Sequence, residues 1–197
     1  MKTRRTDMLD DPEFVQMLRE AVVETEKRSY ATFRVFQNRS IAELGTVRDL
    51  LAAIKAEKGQ HGFRSLKINK PDPPDCVGIN SRGERVGFEV TELVDETTIK
   101  QNQRGRSEWK EWGPEEFRSK LGSILATKDG KRLLGGPYDK FVVVVHTDEP
   151  LLPHEECNAM LMGHRFGPFR QIDEAYLLFS SQPWCDFDPY IQLTLAK

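Results

Sequence analysis

Residues 71–95 read PDPPDCVGINSRGERVGFEVTELVD, and the reading of this stretch decides the fold. Two short strand-forming runs flank the turn Ser81-Arg82-Gly83. With Gly83 supplying the positive φ of a three-residue hairpin loop, Asn80 pairs with Glu84. Counting outward in antiparallel register puts Asp75 directly opposite Glu89. Directly opposed residues hold their Cβ atoms roughly 4.5–5.5 Å apart on one face of a sheet. Two carboxylates that close repel each other unless a cation or a shared proton lies between them. The bland alternative is a surface hairpin with ordinary acids, since a one-residue slip would send the two to opposite faces.

Upstream, Ser40 with Glu43 three residues later reads as a capping box that opens a helix. Leu44, Val47, Leu50, Leu51 and Ile54 form its apolar stripe, and Gly59 is its expected end. Phe63 to Asn69 alternates apolar and polar residues, the pattern of a first strand stopped by Pro71. Before these, residues 12–27 carry Phe14, Leu18, Ala21, Val22 and Thr25 at helical spacing behind Pro12. That segment is expected to pack as an amphipathic helix on the body of the protein. Tyr30 to Gln37 suits a strand or a helix equally.

Downstream, residues 93–113 show no periodicity and read as a long polar loop. In it Lys100, Arg104, Arg106 and Lys110 are interleaved with Trp109 and Trp112. Such a loop grips nucleic acid if the tryptophans stack on bases, or is a solvated cover if they turn inward. Pro114 opens a helix with the stripe Phe117, Leu121, Ile124 and Leu125. After Gly135-Gly136-Pro137, Phe141 to Val145 (FVVVV) is a β-branched run suited to a strand buried on both faces. A short helix from Leu152 to Met162 and two strands, Ala175–Phe179 and Tyr190–Leu195, complete the order.

The chain has 197 residues, of which 38% are hydrophobic and 30% charged, enough to bury a core. No apolar run approaches the ~18–20 residues of a membrane span. The N-terminal residues lack an apolar signal region. Cys76, Cys157 and Cys185 are odd in number and far apart, as expected of free thiols in a reducing cytoplasm. Twenty-nine basic against 31 acidic residues give a net charge of −2. Bulk attraction to nucleic acid is therefore not expected, while a local basic patch beside an acidic site remains open.

The order helix–strand–strand–strand–helix–strand, with Pro74-Asp75 on the second strand and Glu89-Val90-Thr91 on the third, resembles the PD-(D/E)xK nuclease superfamily. The resemblance covers roughly residues 40–147. It implies an α/β fold with a restriction-endonuclease-like core (αβββαβ) and a mixed central sheet, extended by an N-terminal helix and C-terminal strands. Residues 1–39 would be a helical extension and 40–197 the nuclease-like domain. The implied activity is metal-dependent phosphodiester hydrolysis in the cytoplasm. Asp75, Glu89 and the Val90 carbonyl would hold one or two Mg²⁺ or Mn²⁺ ions. The implied partner is nucleic acid, DNA first, with a homodimer left open and no membrane.

Thr91 departs from the motif, which has lysine there. Some members of the superfamily supply that lysine from elsewhere, and by this analogy Lys120 and Lys128 are candidates, with Lys100 behind them. Many members also carry a glutamate on the first helix. Glu43 matches that position, and equally matches the capping acid of Ser40. The alternative to an enzyme is a degenerate module of the same fold that binds nucleic acid or a protein. His146, Asp148, His154, Cys157 and His164 lie close in sequence but lack the paired spacing of a structural zinc site. No phosphate-binding glycine loop or nucleophile elbow is present.

Overall fold

A computed structural model describes residues 39–59, 62–102, 109–180 and 187–196. The expected helix over 12–27, the ambiguous run 30–37, Arg104, Arg106 and Cys185 lie outside these residues. The described elements run α1 (Arg39–Lys58), β1 (Phe63–Ile68), β2 (Cys76–Asn80), β3 (Arg85–Glu92), α2 (Glu96–Asn102), α3 (Pro114–Asp129), β4 (Lys140–Thr147), α4 (His154–Leu161), β5 (Glu174–Phe179) and β6 (Tyr190–Gln192). The architecture is mixed α/β: six strands in one sheet, in spatial order β1-β2-β3-β4-β5-β6. The first three form an antiparallel meander, β3, β4 and β5 run parallel, and β6 returns antiparallel.

Helices cover both faces of this sheet because its central strands are apolar on both. Along β4, Phe141, Val143 and Val145 enter one core with Phe117, Leu121 and Leu125 of α3. Val142 and Val144 enter the other with Leu44, Val47 and Leu50 of α1. Each such side chain contributes about 1.5–3 kcal/mol when fully buried. The β-branched run therefore fixes β4 at the centre, and the two helical stripes fix which helix covers which face. Among the described residues, no helix is long and apolar enough to cross a membrane.

Three local expectations need correction. The aperiodic segment after β3 contains a helix, α2, whose entry is fixed by Asp95. Its Oδ2 accepts the Thr98 backbone N–H at 2.7 Å and the Thr98 hydroxyl at 3.0 Å. Ser40 lies inside α1 rather than ahead of it, so it is not the N-cap. The last strand stops at Gln192, and Leu195 makes only an isolated bridge to Phe166. Trp112 has turned inward against Phe117 with Lys110 over its ring, while Trp109 stays exposed.

Candidate metal centre

The site begins with the hairpin. Asn80 Oδ1 accepts the backbone N–H groups of Arg82 and Glu84, and Gly83 takes φ +84°. This turn sets the pairing Cys76↔Phe88 and Val77↔Gly87, so the next step outward places Asp75 beside Glu89, as the sequence predicts. Phe88 and Val90 face α1, and Glu89 faces α3 between them. Asp75 keeps 6% of its surface exposed and Glu89 only 1%. Asp75 Oδ2 accepts the Val90 backbone N–H at 2.7 Å, which fixes the carboxylate across the strand pair. Asp72, exposed at the rim, joins them: one carboxylate oxygen from each of Asp72, Asp75 and Glu89 lies within 4.8 Å of the others.

The proline-rich turn that delivers Asp72 and Asp75 is tied from two sides. The buried Asn69 amide donates to the carbonyls of Pro71 and Pro74 at 2.7 and 3.0 Å. The Leu134 N–H donates to the Pro73 carbonyl at 2.7 Å. Gly87 of β3 lies beneath Pro74, where an added Cβ would stand 2.9 Å from the ring Cγ. A proline ring cannot yield as a flexible chain end does. Gly87→Ala is expected to cost about 1–3 kcal/mol of stability, measured by urea unfolding, and to displace Pro74 and with it Asp75.

Two ammonium groups face these acids, one from the last turn of α3 and one from the turn that follows it. Lys128 Nζ is 2.7 Å from Glu89 Oε1 and 3.4 Å from the Val90 carbonyl. Lys131 Nζ is 2.6 Å from the same Glu89 oxygen. The turn carrying them is clamped. Asp129 accepts the backbone N–H groups of Arg170, Gln171 and Ile172. The Gln171 amide donates to the carbonyls of Asp129 and Lys131.

Compared with known proteins, the chain matches no family model, no curated protein and no solved structure. The site is therefore read from its own chemistry.

Burial pushes the Asp75 carboxyl up to about 7, and the charges of Glu89, Glu43 and Asp72 add to this against the Val90 N–H bond. Glu43 is raised as well, first by burial, and Arg39 Nε at 2.6 Å from its Oε1 offsets only part of that. Lys131 is held above the usual lysine range: burial lowers it, but the bond and charge of Glu89 prevail. Glu89 Oε2 is buried and has no hydrogen-bond partner among the described residues. An all-oxygen set of three carboxylates with such an orphaned atom suits a hard divalent cation. No observation in the set favours a softer metal.

Of the residues singled out in the sequence, Asp75, Glu89, Val90 and Lys128 come together. Glu43 lies near enough to interact electrostatically with the acids, but outside the group of three, and pairs with Arg39 rather than Ser40. Thr91 is half-buried on the face of Glu89, beside Val145 of β4. Lys120 does not join: it precedes Lys128 by eight residues, about 12 Å along the helix. Lys100 is exposed on α2 and takes no part in the bonds of the acids. Nor does a zinc cluster form. His154 meets Phe179 edge-to-face, as His164 does Phe166, His146 meets Ser180, and Cys157 Sγ donates to the Leu152 carbonyl.

Sequence reasoning missed Asp72 and Lys131. For Asp72 a signal exists, because Pro71-Asp72 repeats the Pro74-Asp75 step one turn earlier. For Lys131 none does, since it follows Gly130 beyond the helical periodicity.

Proposed function

We propose that the protein is a divalent-metal-dependent nuclease that hydrolyses phosphodiester bonds of nucleic acid. The observation that carries this is the buried, cross-strand pair Asp75 and Glu89 with Lys128 within 2.7 Å of Glu89. Packing acids together under cover is costly for a fold and is retained where the charge has work to do. The order of elements supports a restriction-endonuclease-like core: α1, the meander β1-β2-β3, then α3 crossing to a parallel β4.

In this reading Asp75, Glu89 and the Val90 carbonyl hold Mg²⁺ or Mn²⁺, with Asp72 as an additional ligand at the rim. When bound, such an ion polarises a phosphate oxygen and lowers the pKa of a coordinated water. The chain supplies the rest. The Val90 N–H keeps Asp75 oriented, and Lys128 keeps a positive charge beside Glu89 in the role that the motif gives to the residue at Thr91. Glu43 adds negative charge behind the seat.

The test is Mg²⁺- and Mn²⁺-dependent cleavage of DNA and RNA by the full chain. Cleavage is expected to fall to background in Asp75→Asn and Glu89→Gln. Activity equal to wild type in both variants would sink the assignment.

One observation favours a second reading, a module of the same fold that binds without cutting. Glu89 Oε1 already carries two ammonium groups, which offset most of the seat's charge without a metal. Calorimetric titration with Mn²⁺ separates the two, because a degenerate seat takes up no ion.

A further inference from the structure

Lys128 and Lys131 bond the same oxygen of Glu89, at 2.7 and 2.6 Å, yet they are not equivalent. Lys128 leaves the last turn of α3 with only 9% of its side chain exposed, and its Nζ also lies near the Val90 carbonyl. Lys131 leaves the turn beyond Gly130 with 37% exposed. Its ammonium can retreat into water, whereas that of Lys128 would stay buried. The backbone beneath Lys131 is fixed by Gln171, so such a retreat is a side-chain rotation and needs no movement of the turn.

The balance of charge gives that rotation a cause. Above pH 7, where Asp75 is ionised, three carboxylates against two ammonium groups leave one negative charge in excess. That excess holds both lysines inward despite their mutual repulsion. A divalent ion among Asp72, Asp75 and Glu89 reverses the sign to one positive charge. The more exposed of the two ammonium groups is then repelled from the cluster, and a phosphate anion becomes its better partner.

We propose that Lys131 is an exchangeable tethered cation. It holds Glu89 while no metal is bound, is displaced when a divalent ion enters, and then presents its ammonium to the anionic phosphate of the substrate. This rests on the metal-dependent reading above, and the experiment is chosen to separate the two.

Full-length wild type, Lys131→Met and Lys131→Arg are titrated with MnCl₂ by calorimetry at about pH 8, where Asp75 is ionised. With the competing charge removed, Lys131→Met is expected to bind Mn²⁺ about tenfold tighter than wild type. Lys131→Arg keeps the charge and is expected to stay within about threefold. A lysine that only braces the site gives the reverse, weaker binding on its removal. Wild-type binding with equal or weaker binding by Lys131→Met overturns the exchange and leaves the metal seat standing. Binding seen only in Lys131→Met supports the exchange. No binding by any of the three overturns the exchange and the metal-dependent reading together. Lys131→Gln, equally uncharged, is expected to repeat the tightening, and stands in if circular dichroism shows the Met variant unfolded.

Discussion

Lys128→Met is expected to destabilise the protein by about 3–5 kcal/mol at pH 8, read from urea unfolding. The Glu89 side chain is 1% exposed, and Lys128 is the more deeply buried of its two partners. Methionine follows the lysine stem closely in volume, so a packing defect contributes little. The loss comes from a buried carboxylate whose fixed counter-charge has gone. Lys131 remains on the same oxygen, which places the expected value toward the lower end of the range. A double variant, Glu89→Gln with Lys128→Met, removes both charges and is expected to be more stable than Lys128→Met alone. Mn²⁺ should also recover part of the loss in the single variant, because the ion replaces the missing positive charge. A single variant within about 1 kcal/mol of wild type would mean that the pair carries no buried charge.

The same pair of lysines gives a physical account of Thr91. A lysine there would leave β3 on the face of Glu89, already met by the ammonium groups of Lys128 and Lys131. A third positive charge would cancel the negative excess of Asp72, Asp75 and Glu89, and so weaken the seat for a cation. On the metal-dependent reading, a neutral residue at this position suits a seat whose positive charges come from Lys128 and Lys131.

What the sequence reveals follows from how far each signal travels. The hairpin is local: Asn80 and Gly83 set the turn, the turn sets the register, and the register sets Asp75 beside Glu89. Lys128 is one of three candidates only through the resemblance, by analogy with superfamily members that supply the lysine from elsewhere. Choosing it over Lys120 needs the position of α3 over the sheet, which no periodicity encodes. Lys131 reaches Glu89 across 42 positions from an irregular turn, where sequence pattern carries no direction. The helix α2 is hidden because, among the described residues, its buried apolar cluster is Ile99 with Val94, too short a stripe to show a period. Asp95 at its entry is visible as a capping residue. The partner of Glu43 is masked because Ser40 offers a familiar motif one residue after Arg39.

Asp75→Asn is expected to raise the stability of the metal-free protein at neutral and alkaline pH. The folded Asp75 carboxyl titrates near 7, against 3.8 for an unhindered aspartate. Between those values the folded state binds a proton that the unfolded state has released, so stability falls as pH rises through that window. Below it both states are protonated and no penalty exists; above it both are ionised and the penalty is complete. At about 1.4 kcal/mol for each tenfold change in proton affinity, the penalty is of the order of 4 kcal/mol. Asparagine still offers an oxygen to the Val90 N–H and carries no charge to be buried against Glu89, Glu43 and Asp72. The stability difference between variant and wild type is therefore expected to be near zero or negative at pH 4 and to grow to that value by pH 8. Urea unfolding at several pH values in the presence of a chelator measures it. Mg²⁺ should then reverse the ranking, since it stabilises wild type through a carboxylate that the variant lacks. A difference that stays flat with pH would mean that Asp75 is an ordinary surface acid. A difference that grows with pH and is cancelled by Mg²⁺ would show a residue that the fold holds at a cost, for the sake of the ion it binds.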